Sequence, residues 1–437
     1  MLEVMIYILT GLIALLIPAV YIFRERQKSK RAHTKLDHAI KTGRDQPISL
    51  HPYINPDSCI GSGACVKACP EKDVLGLINN RGKLINPSSC IGHGLCQAAC
   101  PVDAIDLVIG TEKKGVDIPH ISGRFETNVQ GIYIAGELGG MGLIRNAVEQ
   151  GRQAVKFLAE GIDENTNKGE YDLLIVGAGP AGISASLQAK KENLKFITID
   201  QDGLGGTILN YPRKKLVMTY PMDLPVYGRV KVREIFKEDL LALFRDVFDK
   251  TDVSVHSGIK VDSITGKDGD FSVVTKDKIY STKKVLLAIG RRGTPRKLNV
   301  PGEETSKVAY KLGDADDYKG NILVVGGGDS AVEAATALGN NKGNRVTLSY
   351  RGDTIYRIKE GNKDKLDDAR LRGSVKLLYN SNVKEIREKE VILVQKEKMI
   401  ELENDYVFIM VGGELPTEFL KNIGINFSRK FGEKLGN

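Results

Sequence analysis

Apolar residues fall along this chain in one long block and a series of short ones. Residues 4–23, VMIYILTGLIALLIPAVYIF, run twenty positions without a charge, and at 1.5 Å per residue a helix of that length matches the roughly 30 Å hydrocarbon core of a bilayer. The short blocks begin later. YDLLIVGAGPAGISASL (171–187) predicts an apolar strand, a glycine turn and a helix start, and NILVVGGGDSAVEAATAL (321–338) predicts the same sequence of elements. LKFITID (194–200), KVLLAIG (284–290) and NRVTLSYRG (344–352) predict further strands. Between the long block and the first glycine turn, residues 123–161 carry one more strand-like run, GIYIAGE, and a helix.

With 437 residues and 41% hydrophobic composition the chain buries a sizeable core and divides into several domains. The net charge of +8 is concentrated just after residue 23, at Arg24, Arg26, Lys28, Lys30, Arg31 and Lys35, which argues against a nucleic-acid partner. No basic residue precedes the apolar run and no small-residue cleavage site follows it, so a single-pass anchor is expected rather than a signal peptide. The positive-inside rule then holds the body of the chain on the cytoplasmic side of the inner membrane, with residues 24–51 as a basic, partly helical tether near anionic lipid.

All six cysteines lie between residues 59 and 100, a clustering that favours metal ligation in a reducing compartment over disulfides. They sit in an internal repeat of period 31: INPDSCIGSGACVKACPEKDV and INPSSCIGHGLCQAACPVDAI. The spacing resembles the bacterial dicluster ferredoxin fold over residues 52–110, with Ser62 and then His93 in place of the second cysteine. That resemblance implies crossed ligation, Cys59, Cys65 and Cys100 with Ser62 at one cluster, and Cys90, Cys96 and Cys69 with His93 at the other. It implies a four-iron cluster of raised potential at His93, and at Ser62 a three-iron cluster, a four-iron cluster or a labile iron. Decay to an empty ferredoxin fold is the bland alternative.

In the first glycine turn, Gly177, Gly179 and Gly182 with Pro180 and Ala181 bring bare backbone to a pyrophosphate at a helix amino terminus. Asp200 stands at the offset of an acid that binds a ribose hydroxyl. Gly326, Gly328 and Ala331 repeat the turn, and after the next strand Tyr350 and Arg351 occupy the position of the acid. An arginine there suits the 2′-phosphate of NADPH over NADH, with Arg357 as a second contact. Together these motifs resemble the thioredoxin reductase-like flavoproteins over residues 117–437, although the Cys-x-x-Cys pair of that class is missing from the nicotinamide domain. The resemblance also implies a circular permutation. The strand, Gly-Asp pair and helix that end such chains are absent from the carboxyl terminus and stand upstream at 123–161, with Gly136 and Glu137 at the flavin-contacting pair and a helix from near Gly142 aimed at the flavin.

The expected fold is α/β: two Rossmann-like domains for FAD and NAD(P)H, preceded by a small α+β dicluster ferredoxin-like domain and one transmembrane helix. Its expected boundaries are 4–23 for the span, 24–51 tether, 52–110 ferredoxin-like, 117–161 permuted segment, 170–300 FAD domain, 305–412 NAD(P)H domain and 413–437 a return to the FAD domain. The expected function is an oxidoreductase passing electrons from NADPH through FAD to iron–sulfur clusters. No side-chain acid, base or nucleophile is required, so no catalytic residue is assigned. A ferredoxin module joined to a reductase resembles the electron-input subunits of glutamate synthase-type enzymes. The acceptor is left open among quinone, cytochrome and ferredoxin, as is a homodimer. A membrane-tethered redox or iron sensor is the alternative, and a disulfide reductase using iron-free ferredoxin cysteines is a third.

Overall fold

The computed structural model describes the chain apart from residues 1, 42–44, 48–49, 72, 91, 113–114, 141, 163–168, 212, 214, 219–220, 292–294, 356–357, 415 and 435–437. It divides into two compact units, residues 1–116 with 430–435, and residues 117–429.

In the first unit, strands His51–Ile54 and Ile105–Ile109 pair antiparallel, with His51 opposite Val108 and Ile54 opposite Ile105. The hairpin Leu75–Ile78/Arg81–Leu84 is the second layer of the repeat. Two short helices, Ala64–Ala68 and Leu95–Ala98, each start after a left-handed glycine, Gly63 and Gly94. The small core is made largely of the cysteines themselves, with Val74, Leu75 and Ile105.

Two features of this unit sharpen or change the sequence expectation. Residues 24–41 are not separate from the span: the amino-terminal helix runs unbroken over Leu2–Lys41, with Pro18 inside it, so the expected partly helical tether is helical as far as Lys41. Its apolar half is exposed and is long and apolar enough to cross a membrane by length and composition. Its second half docks: Ala32 packs with Ile78 and Ile85, flanked by Leu36. The Asn79 amide donates to Ser29 Oγ at 3.1 Å, and Lys35 pairs with Asp73 at 2.6 Å. Nor does all of 413–437 return to the FAD domain. Glu433–Lys434 pairs with Ile105–Ile109, covering a strand edge whose backbone groups would otherwise lack a partner.

The second unit holds two main sheets, one mixed, with Asp270–Thr275 and Val261–Lys267 antiparallel at one edge, and one parallel. The first runs His256–Ser257, Phe196–Asp200, Tyr171–Val176, Ile279–Leu287, Asp270–Thr275, Val261–Lys267. Ile132–Ile134 pairs parallel with the carboxyl-terminal half of Ile279–Leu287, Val285 opposite Ile132. The central strands are apolar without alternation because helices or further strands cover both faces, and Leu173, Leu174 and Ile175 are fully buried. Leu420, Ile423 and Ile425, in and after the Thr417–Asn422 helix, complete this core. The second sheet runs Val308–Ala309, Tyr406–Ile409, Asn321–Val325, Arg345–Ser349, Val375–Leu378, all parallel. Three ion pairs join the two domains, Lys311–Asp202 at 3.0 Å, Arg213–Asp314 at 2.8 Å and Lys215–Glu333 at 3.2 Å. As partly exposed pairs each is worth roughly 0–1 kcal/mol, too little to lock the domains together.

Candidate cofactor sites

Tyr171–Val176 ends in the first glycine turn. Gly177 has φ 107°, a region open to glycine at little cost, and a Cβ there would stand 2.5 Å from the Ala288 carbonyl oxygen. A Cβ on Gly182 would overlap the Gly177 carbonyl oxygen, whereas one on Gly179 would meet nothing within 4 Å. Gly177 and Gly182 therefore serve close packing, and Gly179 leaves bare backbone facing a ligand. Gly179 caps the Pro180–Lys191 helix, with Pro180 in its first turn. That helix directs unpaired N–H groups and the positive end of its dipole into the cleft.

Asp200 is nearly buried. Its Oδ2 accepts from the Ala178 amide and its Oδ1 from the amides of Asp202 and Gly203, all at 2.7 Å. A carboxylate has about four lone-pair positions, so Asp200 spends most of its capacity tying the first turn to the next loop while it lines the cleft.

Residues 123–161 build against this turn. The Ile144–Ala159 helix crosses Pro180–Lys191 so closely that a Cβ on Gly151 would overlap the Ala181 carbonyl. Gly136, at φ 90°, donates its amide to Oε1 of the buried Gln150 at 2.8 Å, and Glu137 opens the turn that follows. Gly136, Glu137, Gly142, Leu143 and Ile144 all face the cleft. Arg291 lies in the field of Glu137 and Asp117. Burial holds its pKa below the ordinary value, and the two carboxylates oppose that shift. Gln150, Gly151 and Arg291 carry no motif in a single sequence, so sequence reasoning misses them.

The second turn repeats the construction. A Cβ on Gly326 would strike the Met410 carbonyl oxygen, and one on Gly328, the cap of the Asp329–Gly339 helix, would meet nothing within 4 Å. Ala331 is fully buried beneath the turn. The Tyr350 ring lies flush against Gly327 and Gly352. Arg351 is exposed, lines the cleft and has no ion pair among the described residues. Arg357 lies outside the described residues.

Both turns open on one cleft of ≈ 1660 Å³. Pockets for a single ligand usually enclose about 300–1,000 Å³, so this one has room for two dinucleotides, and the bare glycine backbones fit their pyrophosphates.

In the first unit the cysteines gather across the repeat. Cys65 lies close enough to Cys59 and Cys100 that charge on either would raise its pKa, as burial already does. Burial first, then Cys90, pushes Cys96 up to about 12, and burial first, then Cys69, pushes Cys90 up to about 11. Cys90 and Cys96 are therefore thiols in the absence of metal and need the positive charge of iron to become thiolates. Backbone amides face the cage cysteines, among them Gly82 N donating to Cys59 Sγ at 3.4 Å and Ala104 N to Cys100 Sγ at 3.3 Å. Arg81 hydrogen-bonds the Cys59 carbonyl.

Ser62 Oγ accepts the Ala64 amide at 3.4 Å. His93 Nδ1 accepts the Leu95 amide at 3.0 Å, and its Nε2 stands 3.6 Å from Cys69 Sγ. Burial lowers the His93 pKa, with Glu71 opposing. Among the described residues no three His, Cys, Asp or Glu side chains converge on a single ion. In a cluster the protein ligands sit on different corner irons, so sulfurs spread around a cage are what the donor set requires. The cavity beside Cys59, Ser62, Cys65 and Cys100 is ≈ 20 Å³, about the room of one water, so the fit rests on the donors and a cluster would spread the cage.

Two glycine-turn sheets opening on one cleft define a two-dinucleotide oxidoreductase, here with a cysteine-cage unit in the same chain. The chain belongs to the pyridine nucleotide-disulphide oxidoreductase family, whose model matches residues 174–434, and a 4Fe-4S dicluster domain matches residues 51–101. It is similar to bacilliredoxin reductase Bdr of Bacillus subtilis, 27% identical over 60% of this chain and 83% of that one. It is also similar to a ferredoxin–NADP reductase of Ignicoccus hospitalis, 30% identical over 59% and 83%. The solved bacillithiol disulfide reductase Bdr of Bacillus cereus superposes with a TM-score of 0.51, 26% identical over 59% of this chain and 82% of that one. The protein is an FAD-dependent NAD(P)H oxidoreductase with an iron–sulfur domain.

Proposed function

We propose that this chain is a membrane-tethered electron-transfer enzyme that takes electrons from NADPH and delivers them through FAD and two iron–sulfur clusters to a one-electron acceptor. The observation that carries the proposal is the crossed gathering of the cysteines, Cys59, Cys65 and Cys100 in one set and Cys69, Cys90 and Cys96 in the other, within a chain that has no cysteine elsewhere. Disulfide reduction in the nicotinamide domain therefore has no thiol to use.

Bound FAD supplies the conversion of a hydride, two electrons and a proton, into single electrons that iron–sulfur centres accept. The chain's own residues bind and orient. Gly177, Gly179 and Gly182 admit the FAD pyrophosphate to the Pro180–Lys191 helix with Pro180 and Ala181 in its first turn, and Asp200 holds that turn while offering its remaining lone pair to the ribose. Gly136 and Glu137 bring the start of the Ile144–Ala159 helix to the flavin end of the cleft, in the sense of a permuted FAD domain. Gly326, Gly328 and Ala331 shape the nicotinamide-nucleotide turn, and Arg351, an exposed cation beside it, favours NADPH over NADH.

The relatives named ferredoxin–NADP reductase support a ferredoxin-type exchange partner, which here is built into the polypeptide. The 4Fe-4S match favours four-iron clusters at both cages. The acceptor beyond them is a ferredoxin, a cytochrome or a quinone, and residues 4–23 hold the enzyme at the membrane where the last two are found. Ser62, exposed at its corner, motivates a sensor with a labile cluster as the second reading.

The test is an electron paramagnetic resonance spectrum of the anaerobically purified full chain before and after NADPH. Cluster signals that change on addition are expected, together with steady NADPH-dependent reduction of a one-electron dye. A preparation free of iron overturns the proposal, and iron-loaded protein that turns over no faster than free flavin selects the sensor.

A further inference from the structure

Resting on the reading of the cages as iron–sulfur sites, we propose that His93 is an N–H···S hydrogen-bond donor to Cys69 and not the fourth iron ligand of its cluster, whose fourth iron takes a solvent-derived ligand. Neutral imidazole has one lone-pair nitrogen and one N–H. The Leu95 amide, at 3.0 Å, claims the lone pair at Nδ1, which places the proton on Nε2, the atom 3.6 Å from Cys69 Sγ. Binding iron through Nε2 would move that proton to Nδ1, set two N–H groups against each other and leave the first turn of the Leu95–Ala98 helix with an unpaired donor. Binding through Nδ1 would break the same hydrogen bond.

Ser62, the matching position of the other repeat, escapes this conflict. Its Oγ also accepts the amide two residues on, but a hydroxyl oxygen keeps a second lone pair. The two replaced cysteines are thus chemically unequal although they hold the same place in the repeat.

Pseudosymmetry sets the surroundings of Cys69 apart from those of Cys100. Its counterpart Cys100 receives the amide of Ala104, four residues on, at 3.3 Å. Four residues after Cys69 stands Asp73, with φ 62°, and the backbone partner of Cys69 is instead Glu71, whose hydrogen bonding holds the Cys69 pKa down against the burial that raises it. As a thiol Cys69 faces the Glu71 carbonyl at 3.2 Å, a contact that a thiolate gives up because it has no proton to donate. His93 Nε2–H, 3.6 Å away, then remains beside Cys69 as its side-chain donor. Hydrogen bonds to ligating sulfur stabilise the more negative, reduced cluster, so His93 raises its potential from outside the coordination shell.

The test uses the full chain labelled with ¹⁵N-histidine, with His93→Asn and His93→Gln beside it. Asparagine reaches the Leu95 amide as Nδ1 does but not Cys69, whereas glutamine places an N–H where Nε2 was. Equal iron and sulfide in all three proteins is expected, with only weak histidine-nitrogen coupling in the pulsed paramagnetic resonance of the reduced wild type. The cluster midpoint should drop in His93→Asn and stay near wild type in His93→Gln. A strong coupling of directly bonded nitrogen, or one midpoint shared by all three, overturns the proposal. Protein lacking iron and sulfide overturns the cluster reading itself, and iron analysis tells that failure from a histidine bound to iron.

Discussion

Asp200 and Arg351 follow corresponding strands of the two sheets, yet only one of them is uncommitted. Asp200 is bound by three backbone amides, while Arg351 points its charge at the cleft with no ion pair among the described residues. Arg351→Glu should therefore act on cofactor choice without disturbing the fold. One charge-assisted contact to phosphate is worth about 1.5–3 kcal/mol, so the ratio of kcat/KM for NADPH over NADH should fall by about tenfold or more. An unchanged ratio in steady-state kinetics removes Arg351 from the site. Both positions are legible in sequence, because an acid or an arginine after the second strand of a glycine-turn unit stands out by offset alone. The threefold backbone clasp of Asp200 is not, since it depends on how the loop after residue 200 folds back.

At the level of elements, the fit of the Ile144–Ala159 helix against Pro180–Lys191 decides where Gly136 and Glu137 lie. Among the described residues, Gln150 accepts the Gly136 amide from that helix. Gln150→Leu leaves a buried amide without its acceptor, at a cost of about 1–3 kcal/mol. A lower melting temperature and fewer FAD molecules per chain are expected, read by thermal unfolding and flavin absorbance, and full flavin content would show that the turn holds without Gln150. The helix itself is visible in the sequence, but Gln150 reads as an ordinary polar residue until its neighbour across the turn is known. The docking of residues 24–41 of the first helix is hidden for another reason. Its buried positions are Ala32 and Ala39, and alanines among lysines and arginines leave almost no apolar signature.

Across the whole molecule, each unit closes with chain from far away in sequence, Glu433–Lys434 on the first and Ile132–Ile134 inside the sheet of the second. Neither pairing can be read from local patterning, because two- and three-residue strands carry too little of it. The docked helix is the most exposed to test. A Cβ on Gly76 would come within 3.0 Å of Ala32 Cβ, so Ala32→Leu overpacks that contact by about 1–3 kcal/mol. Limited proteolysis should then cut within residues 24–41 while flavin content stays at wild-type level, and a cleavage pattern like wild type would mean the contact is dispensable. The same helix has a geometric consequence. With residues 4–23 embedded, Ala32 and Ala39 stand roughly 14 and 24 Å past Phe23 along one stiff rod. On the proposed membrane-tethered reading, the cysteine-bearing unit would be carried at a set stand-off from the lipid surface, where it would meet most readily those electron-transfer partners tall enough to reach it.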